Sequence, residues 1–211
     1  MSADQVQRRK RFVVAITGAS GALYAVRTVA ALLEQGCHLD LVVSEFGRRL
    51  LRDELGEDAA AERLLPYLEQ KYGEGVRRGQ YDLHSNRDLG ATIASGSRTT
   101  NGMVIVPCSM KTLAGVANGL SRSLIERAAD VMLKERKPLV IVPRETPMSL
   151  PQLRNMVACA KSGAIVLPAM PAFYQRPKTL DDLGDFMAGK ILSLLGLEHE
   201  LYPSWSGQVG P

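Results

Sequence analysis

Short, unbroken apolar runs alternate along this chain with longer stretches whose apolar residues recur every three to four positions. Arg11–Thr17 reads as a buried strand, because Phe12-Val13-Val14-Ala15-Ile16 is continuously apolar and stops at the turn-forming Thr17-Gly18-Ala19-Ser20-Gly21. Ala22–Gln35 reads as a helix: Leu23, Val26, Ala30 and Leu33 share a face, and Gly36 is placed to end it. Leu39–Val43 is a second apolar strand, followed by Ser44 at an N-cap position and a helix reaching about Leu55. Between Glu57 and Asn86 charges are frequent and glycines interrupt; this stretch predicts a helix over Ala59–Lys71 and a short strand near Tyr81. Three further apolar runs are closed by proline: Met103–Val106 by Pro107, Leu139–Val142 by Pro143, and Ile165–Leu167 by Pro168. Helices fill the gaps at Thr112–Asn118, Ser123–Arg136, Leu150–Ser162 and Leu180–Leu195, with Ser123 and Glu126 at capping-box spacing.

Alternating strands and helices, with strands apolar on both faces, predict a doubly wound α/β fold: a parallel sheet with helices on both sides. Ligands of such folds bind beyond the C-terminal strand ends. Polar loops follow three of the strands here, at Thr17–Gly21, Pro107–Thr112 and Pro143–Pro147. If those strands are neighbours, the loops converge on one crevice. At about 150 residues per domain, a chain of 211 residues predicts one domain. We place a basic arm at 1–10, the α/β domain at 11–196 and a tail at 197–211.

Charge changes little in this picture once it is located. Lys and Arg number 26 against 22 Asp and Glu, a formal net charge of +4. Arg8, Arg9, Lys10 and Arg11 stand together, so the remainder is nearly neutral. A nucleic-acid module carries a basic face within its fold, and this pattern argues against one. The apolar run after the basic cluster has about five residues, short of the ~7–15 of a signal peptide. No run approaches the ~18 apolar residues of a membrane-spanning helix. Cys37, Cys108 and Cys159 are odd in number and widely spaced, which fits buried thiols in a reducing cytoplasm rather than a disulfide framework. No His or Cys pair has zinc-ligand spacing, so no metal is expected.

The turn Gly18-Ala19-Ser20-Gly21 stands between a strand and a helix, where free N–H groups of the helix N-terminus can hold a phosphate. It does not match the Gly-x-Gly-x-x-Gly dinucleotide motif or the P-loop. It is similar to the Thr-Gly turn of short-chain dehydrogenases, but Leu23 and Tyr24 stand where a further glycine is required. Tyr67-x-x-x-Lys71 has the spacing of their catalytic pair and comes far too early in the chain.

Six segments together resemble one family, in one order. They are Thr17–Gly21; Ser95-Gly96-Ser97; Pro107-Cys108-Ser109-Met110-Lys111-Thr112; Arg127–Val131 with Leu133–Arg136; Pro143-Arg144-Glu145-Thr146-Pro147; and Pro171–Pro177. The chain resembles the UbiX-type flavin prenyltransferases, formerly called phenylacrylic or 3-octaprenyl-4-hydroxybenzoate decarboxylases, from about residue 11 to Trp205. The resemblance implies a Rossmann-like flavoprotein fold and transfer of a dimethylallyl group from dimethylallyl phosphate to N5 and C6 of reduced FMN, without a metal. It implies that the product, prenylated FMN, serves a UbiD-type decarboxylase, and that the enzyme is a homo-dodecamer with sites at subunit junctions.

It also implies roles by position. Gly18, Ala19, Ser20, Ser44, Ser109, Met110, Lys111, Thr112 and Arg144 would contact FMN, with Ser20 in a proton relay near N5. Arg127, Lys134, Glu145, Tyr174, Lys190 and Trp205 would meet the prenyl phosphate, with Glu145 as the acid that protonates it. Glu54 would help deprotonate the alkylated ring position. Position 190 is commonly Arg in the family; Lys190 keeps the charge and lacks the bidentate fork. The alternative is an FMN-dependent cysteine-peptide decarboxylase of the same fold. Those enzymes use a catalytic histidine, and His84 is the one histidine near the right region.

Overall fold

The computed structural model describes residues 9–203. Six parallel strands form one sheet in the order β3-β2-β1-β4-β5-β6. They are β1 (Arg11–Ile16), β2 (His38–Val43), β3 (Gln80–Ser85), β4 (Gly102–Cys108), β5 (Leu139–Pro143) and β6 (Ile165–Val166). The helices are α1 (Ala22–Glu34), α2 (Glu45–Leu55), α3 (Leu64–Tyr72), α4 (Met110–Ala117), α5 (Leu124–Lys134), α6 (Leu150–Lys161) and α7 (Leu180–Leu194). The doubly wound fold is as expected.

Alternation along the strands divides the interior into two cores. Phe12, Val14 and Ile16 of β1 pack with α1 and α7 on one face, while Val13 and Ala15 pack with α4, α5 and Cys159 of α6 on the other. Strand order reverses between β1 and β4. That is the switch point, where the loops after the two strands diverge and leave a crevice.

Two elements depart from the expectation. The helix predicted from Ala59 starts at Leu64, after 3₁₀ turns at Glu57–Ala59 and Ala61–Arg63. A continuous helix would have put Pro66 in its interior, where it has no N–H to donate and its ring meets the carbonyl a turn earlier. Starting at Leu64 puts Pro66 in the first turn, where neither matters. The strand near Tyr81 runs six residues. Its signal is weak because only Tyr81 and Leu83 face a core; Gln80, Asp82 and His84 alternate with them.

Those alternate positions join a polar network on the second face of the sheet. Asp40 of β2 is fully buried. Its carboxylate accepts from Arg11 Nε and Nη2 at 2.5 and 2.6 Å and lies 2.8 Å from His84 Nε2. Arg11 also donates to Asp82 at 3.0 Å, and Asp82 lies 2.7 Å from His38 Nε2. Burial alone pushes the Asp40 carboxyl upward, but the hydrogen bonds from Arg11 and His84 and the Arg11 charge outweigh it and hold it below its ordinary value.

Candidate active site

Thr17 holds the crevice together at its base. It is 1% exposed, and both its N–H and its hydroxyl donate to the Pro107 carbonyl, at 3.2 and 2.8 Å. The same hydroxyl oxygen accepts from the Ser109 N–H at 2.7 Å. One side chain thus ties the end of β1 to the end of β4 and aims α4. The Ser44 N–H donates to the Ile16 carbonyl at 2.9 Å, which fixes the start of α2 beside the same turn.

A cavity of about 630 Å³ opens above this junction. Gly18, Ser44, Ser109, Lys111 and Thr112 line it, so five of the expected FMN contacts come from three loops onto one wall. Its size is in the usual range of ~300–1,000 Å³ for small-molecule sites. Ser109 caps α4 by accepting from the Thr112 N–H, and Ser44 caps α2 by accepting from the Gly47 N–H at 3.0 Å. Among the described residues, the N–H groups of Met110 and Lys111 meet no acceptor from the chain. A helix start with free N–H groups is of the kind that can hold an anion, and Lys111 and Thr112 of this turn line the cavity. Gly18 is glycine for a steric reason: a Cβ there would overlap the Cβ of Phe46.

The N-terminus of α1 behaves otherwise. The Gly21 and Ala22 N–H groups, read from the sequence as a possible phosphate hold, donate to Glu54 Oε2 at 3.0 and 2.8 Å. A carboxylate from the end of α2 already occupies that helix end, so a phosphate there would meet like charge. This corrects the phosphate reading of the Gly-rich turn, and it brings Glu54 next to Ser20. Ala19 is buried and Ser20 exposed on the turn. Arg144 Nε donates to the Ser20 carbonyl at 2.9 Å, so Arg144 braces this turn from β5.

The expected phosphate-contacting residues lie in three separate places. Arg127 and Lys134, two turns apart on α5, both pack against the segment Ala94–Gly96. Arg127 donates to the Ala94 carbonyl at 3.1 Å and pairs with Asp130 at 2.7 Å. Lys134 pairs with Glu135 at 2.6 Å. Gly96 lies so close to that pair that a Cβ would overlap the Glu135 carboxylate. Glu145 accepts from the Thr146 N–H at 3.0 Å just past β5. Tyr174 and Lys190 line a separate cavity of about 580 Å³ beside α7, and no residue lines both cavities. Trp205 lies outside the described residues.

The sequence reading passed over Phe46, Asn86, Asn118, Arg122 and Glu126, which also line the first cavity. Only Glu126 carried a signal, its capping-box spacing. Its carboxylate accepts from the Arg122 N–H at 2.8 Å, and its own N–H donates to Ser123 Oγ at 3.3 Å. Burial pushes the Cys108 thiol far up, so it stays protonated and is no nucleophile. His84 is tied to Asp40 on the sheet and lines neither cavity, which removes the histidine that the cysteine-peptide decarboxylase reading needs.

Comparison with known proteins gives a consistent picture. The family model described as Flavoprotein matches residues 1–191. The flavin prenyltransferase UbiX of Halalkalibacterium halodurans is 47% identical over 194 residues, covering 92% of each chain. The crystal structure of AnUbiX (PadA1) in complex with FMN and dimethylallyl pyrophosphate is 38% identical, with a TM-score of 0.84, over 95% of this chain and 100% of that one. A dodecameric FMN-dependent UbiX-like decarboxylase from Escherichia coli O157:H7 is also 38% identical, with a TM-score of 0.82, over 93% of this chain and 100% of that one. This chain belongs to the UbiX flavin prenyltransferase family of flavoproteins.

Proposed function

We propose that this protein transfers the dimethylallyl group of dimethylallyl phosphate to N5 and C6 of reduced FMN, and that the prenylated FMN passes to a UbiD-type decarboxylase. The observation that carries the reading is the cavity at the β1/β4 switch point, walled by Gly18, Ser44, Ser109, Lys111 and Thr112. Its dimensions and donors suit a flavin. Gly18 lets a flat ring approach the backbone, and the start of α4 with Lys111 offers positive charge to a phosphate. Ala19, Met110 and Arg144 are assigned to the same FMN site by the family resemblance, and Arg144 braces the Ser20 carbonyl of the turn beside it. Bound there, reduced FMN supplies the nucleophilic ring atoms.

The chain's own residues then have three tasks. Departure of phosphate concentrates negative charge, which Arg127, Lys134, Tyr174 and Lys190 offset. Glu145 gives the leaving phosphate a proton, and Glu54 with Ser20 takes one from the flavin edge. Trp205 covers the prenyl group.

Tyr174 and Lys190 line a different cavity from the one that would hold the flavin, so a second copy would complete the site. Apolar exposure supports such assembly. Leu150, Leu153 and Val157 form one face of α6 and are 57%, 46% and 54% exposed, and Phe173, beside Tyr174, is 71% exposed. We propose a homo-dodecamer, since these faces suit subunit contacts and the UbiX-like relative from Escherichia coli O157:H7 is dodecameric.

The test is anaerobic incubation of the protein with FMN, a reductant and dimethylallyl phosphate, followed by mass measurement of the flavin. A gain of one five-carbon unit is expected; unmodified FMN with folded protein overturns the reading. A parallel run with the diphosphate identifies the donor. Gly18→Ala should weaken FMN binding at least about tenfold, because the added methyl forces α2 away from the turn. Titration of flavin fluorescence checks this. His84→Ala should keep full prenyl transfer, since His84 faces the sheet network.

A further inference from the structure

The chain beyond α7 folds back across that helix and meets it through a short relay of hydrogen bonds. The Leu201 N–H donates to His199 Nδ1 at 3.3 Å, and His199 Nε2 lies 3.0 Å from Ser193 Oγ. Because Nδ1 accepts, the neutral imidazole carries its proton on Nε2, where the Ser193 oxygen and the Gly189 backbone both face it. A hydroxyl that accepts in this way turns its own proton outward. Ser193 is exposed and stands one turn from Lys190, and both line the 580 Å³ cavity with Tyr174, His199 and Tyr202. The charged groups that face the imidazole are Lys190 on α7 and Glu198 beside it. Burial first, and then the Lys190 ammonium, hold His199 below its ordinary value, which favours the neutral form that the relay requires.

Nothing in the family resemblance assigns either residue. We infer that Ser193 is a further donor to the phosphate of the allylic substrate, beside Lys190 and Tyr174, and that His199 is the positioning residue that orients its hydroxyl. This rests on the prenyl-transfer reading above. The ammonium of Lys190 supplies charge without direction, and a fixed hydroxyl next to it supplies direction. Removing one hydrogen bond to a charged group typically weakens binding by about tenfold or somewhat more.

The experiment uses the full-length protein with reduced FMN and follows initial rates against dimethylallyl phosphate concentration. Ser193→Ala should raise KM about tenfold or somewhat more and leave kcat and FMN affinity unchanged. His199→Ala should do the same, and the double variant should be no worse than either single, because both act through one hydroxyl. Ser193→Thr, which keeps the hydroxyl, should retain the wild-type KM. Wild-type KM in both single variants, an additive double variant, or a loss of kcat at constant KM would each overturn the inference. Absence of prenyl transfer by the wild type would instead sink the underlying functional reading, so the two failures are distinguishable.

Discussion

Glu145→Gln is expected to lower kcat for prenyl transfer by about 10²- to 10⁴-fold, with little change in FMN affinity. That is the usual range for loss of a positioned general acid. The departing phosphate must take up a proton, and glutamine has the shape of glutamic acid without one to give. The substitution keeps the local structure, because the amide oxygen can still accept from the Thr146 N–H as the carboxylate does at 3.0 Å. The neighbouring Arg144 continues to brace the Ser20 carbonyl. Single-turnover measurement of flavin modification, with the oligomer checked by light scattering, separates chemistry from assembly. A variant within threefold of wild type would remove Glu145 from the mechanism.

Asp40→Ala should destabilise the fold by about 3 kcal/mol. Removing one partner of a buried ion pair leaves an uncompensated charge, typically a cost of ~3–5 kcal/mol. The lower end applies because Arg11 is 18% exposed and keeps Asp82 as a partner. Asp82→Ala should cost less than about 1 kcal/mol, since Asp82 is 55% exposed and its pairs are screened by water. Denaturant midpoints at one fixed protein concentration give both values, and equal effects from the two substitutions would refute the argument. The pH dependence has a defined sign. The Asp40 carboxyl is held below its unfolded value, so its contribution is fully present above the unfolded pKa of ~3.9 and is lost as pH falls through the lower, folded one. The gap between wild type and Asp40→Ala should therefore narrow in strong acid.

Legibility from sequence followed the physical origin of each feature. The strands β1, β4 and β5 were plain because both their faces are buried, which leaves a nearly continuous apolar run, and β2 keeps that pattern except at Asp40. β3 was faint because its second face carries the Asp82–His84 network instead of a core. The start of α3 at Leu64 follows from Pro66, which fits only the first turn of a helix because it has no N–H to donate. Within the candidate site, the Gly-rich turn and the Ser109–Thr112 segment were legible as motifs. Phe46, Asn86 and Arg122 were not, because nothing local distinguishes a cavity wall from an exposed surface.

What this sequence determined by itself was its sheet, its helices and its family, since apolar period and contiguous motifs are local properties of the chain. The tertiary structure alone decided which groups meet. Glu54 lies 32 residues beyond Ala22, yet its carboxylate closes the α1 N-terminus. Thr17 and Pro107, 90 residues apart, tie the end of β1 to the end of β4 beneath the candidate cavity. Lys190 and Tyr174 come to share a wall far from that cavity. Contacts of this range depend on strand order and on the direction each helix packs, and neither is written in any one stretch of residues.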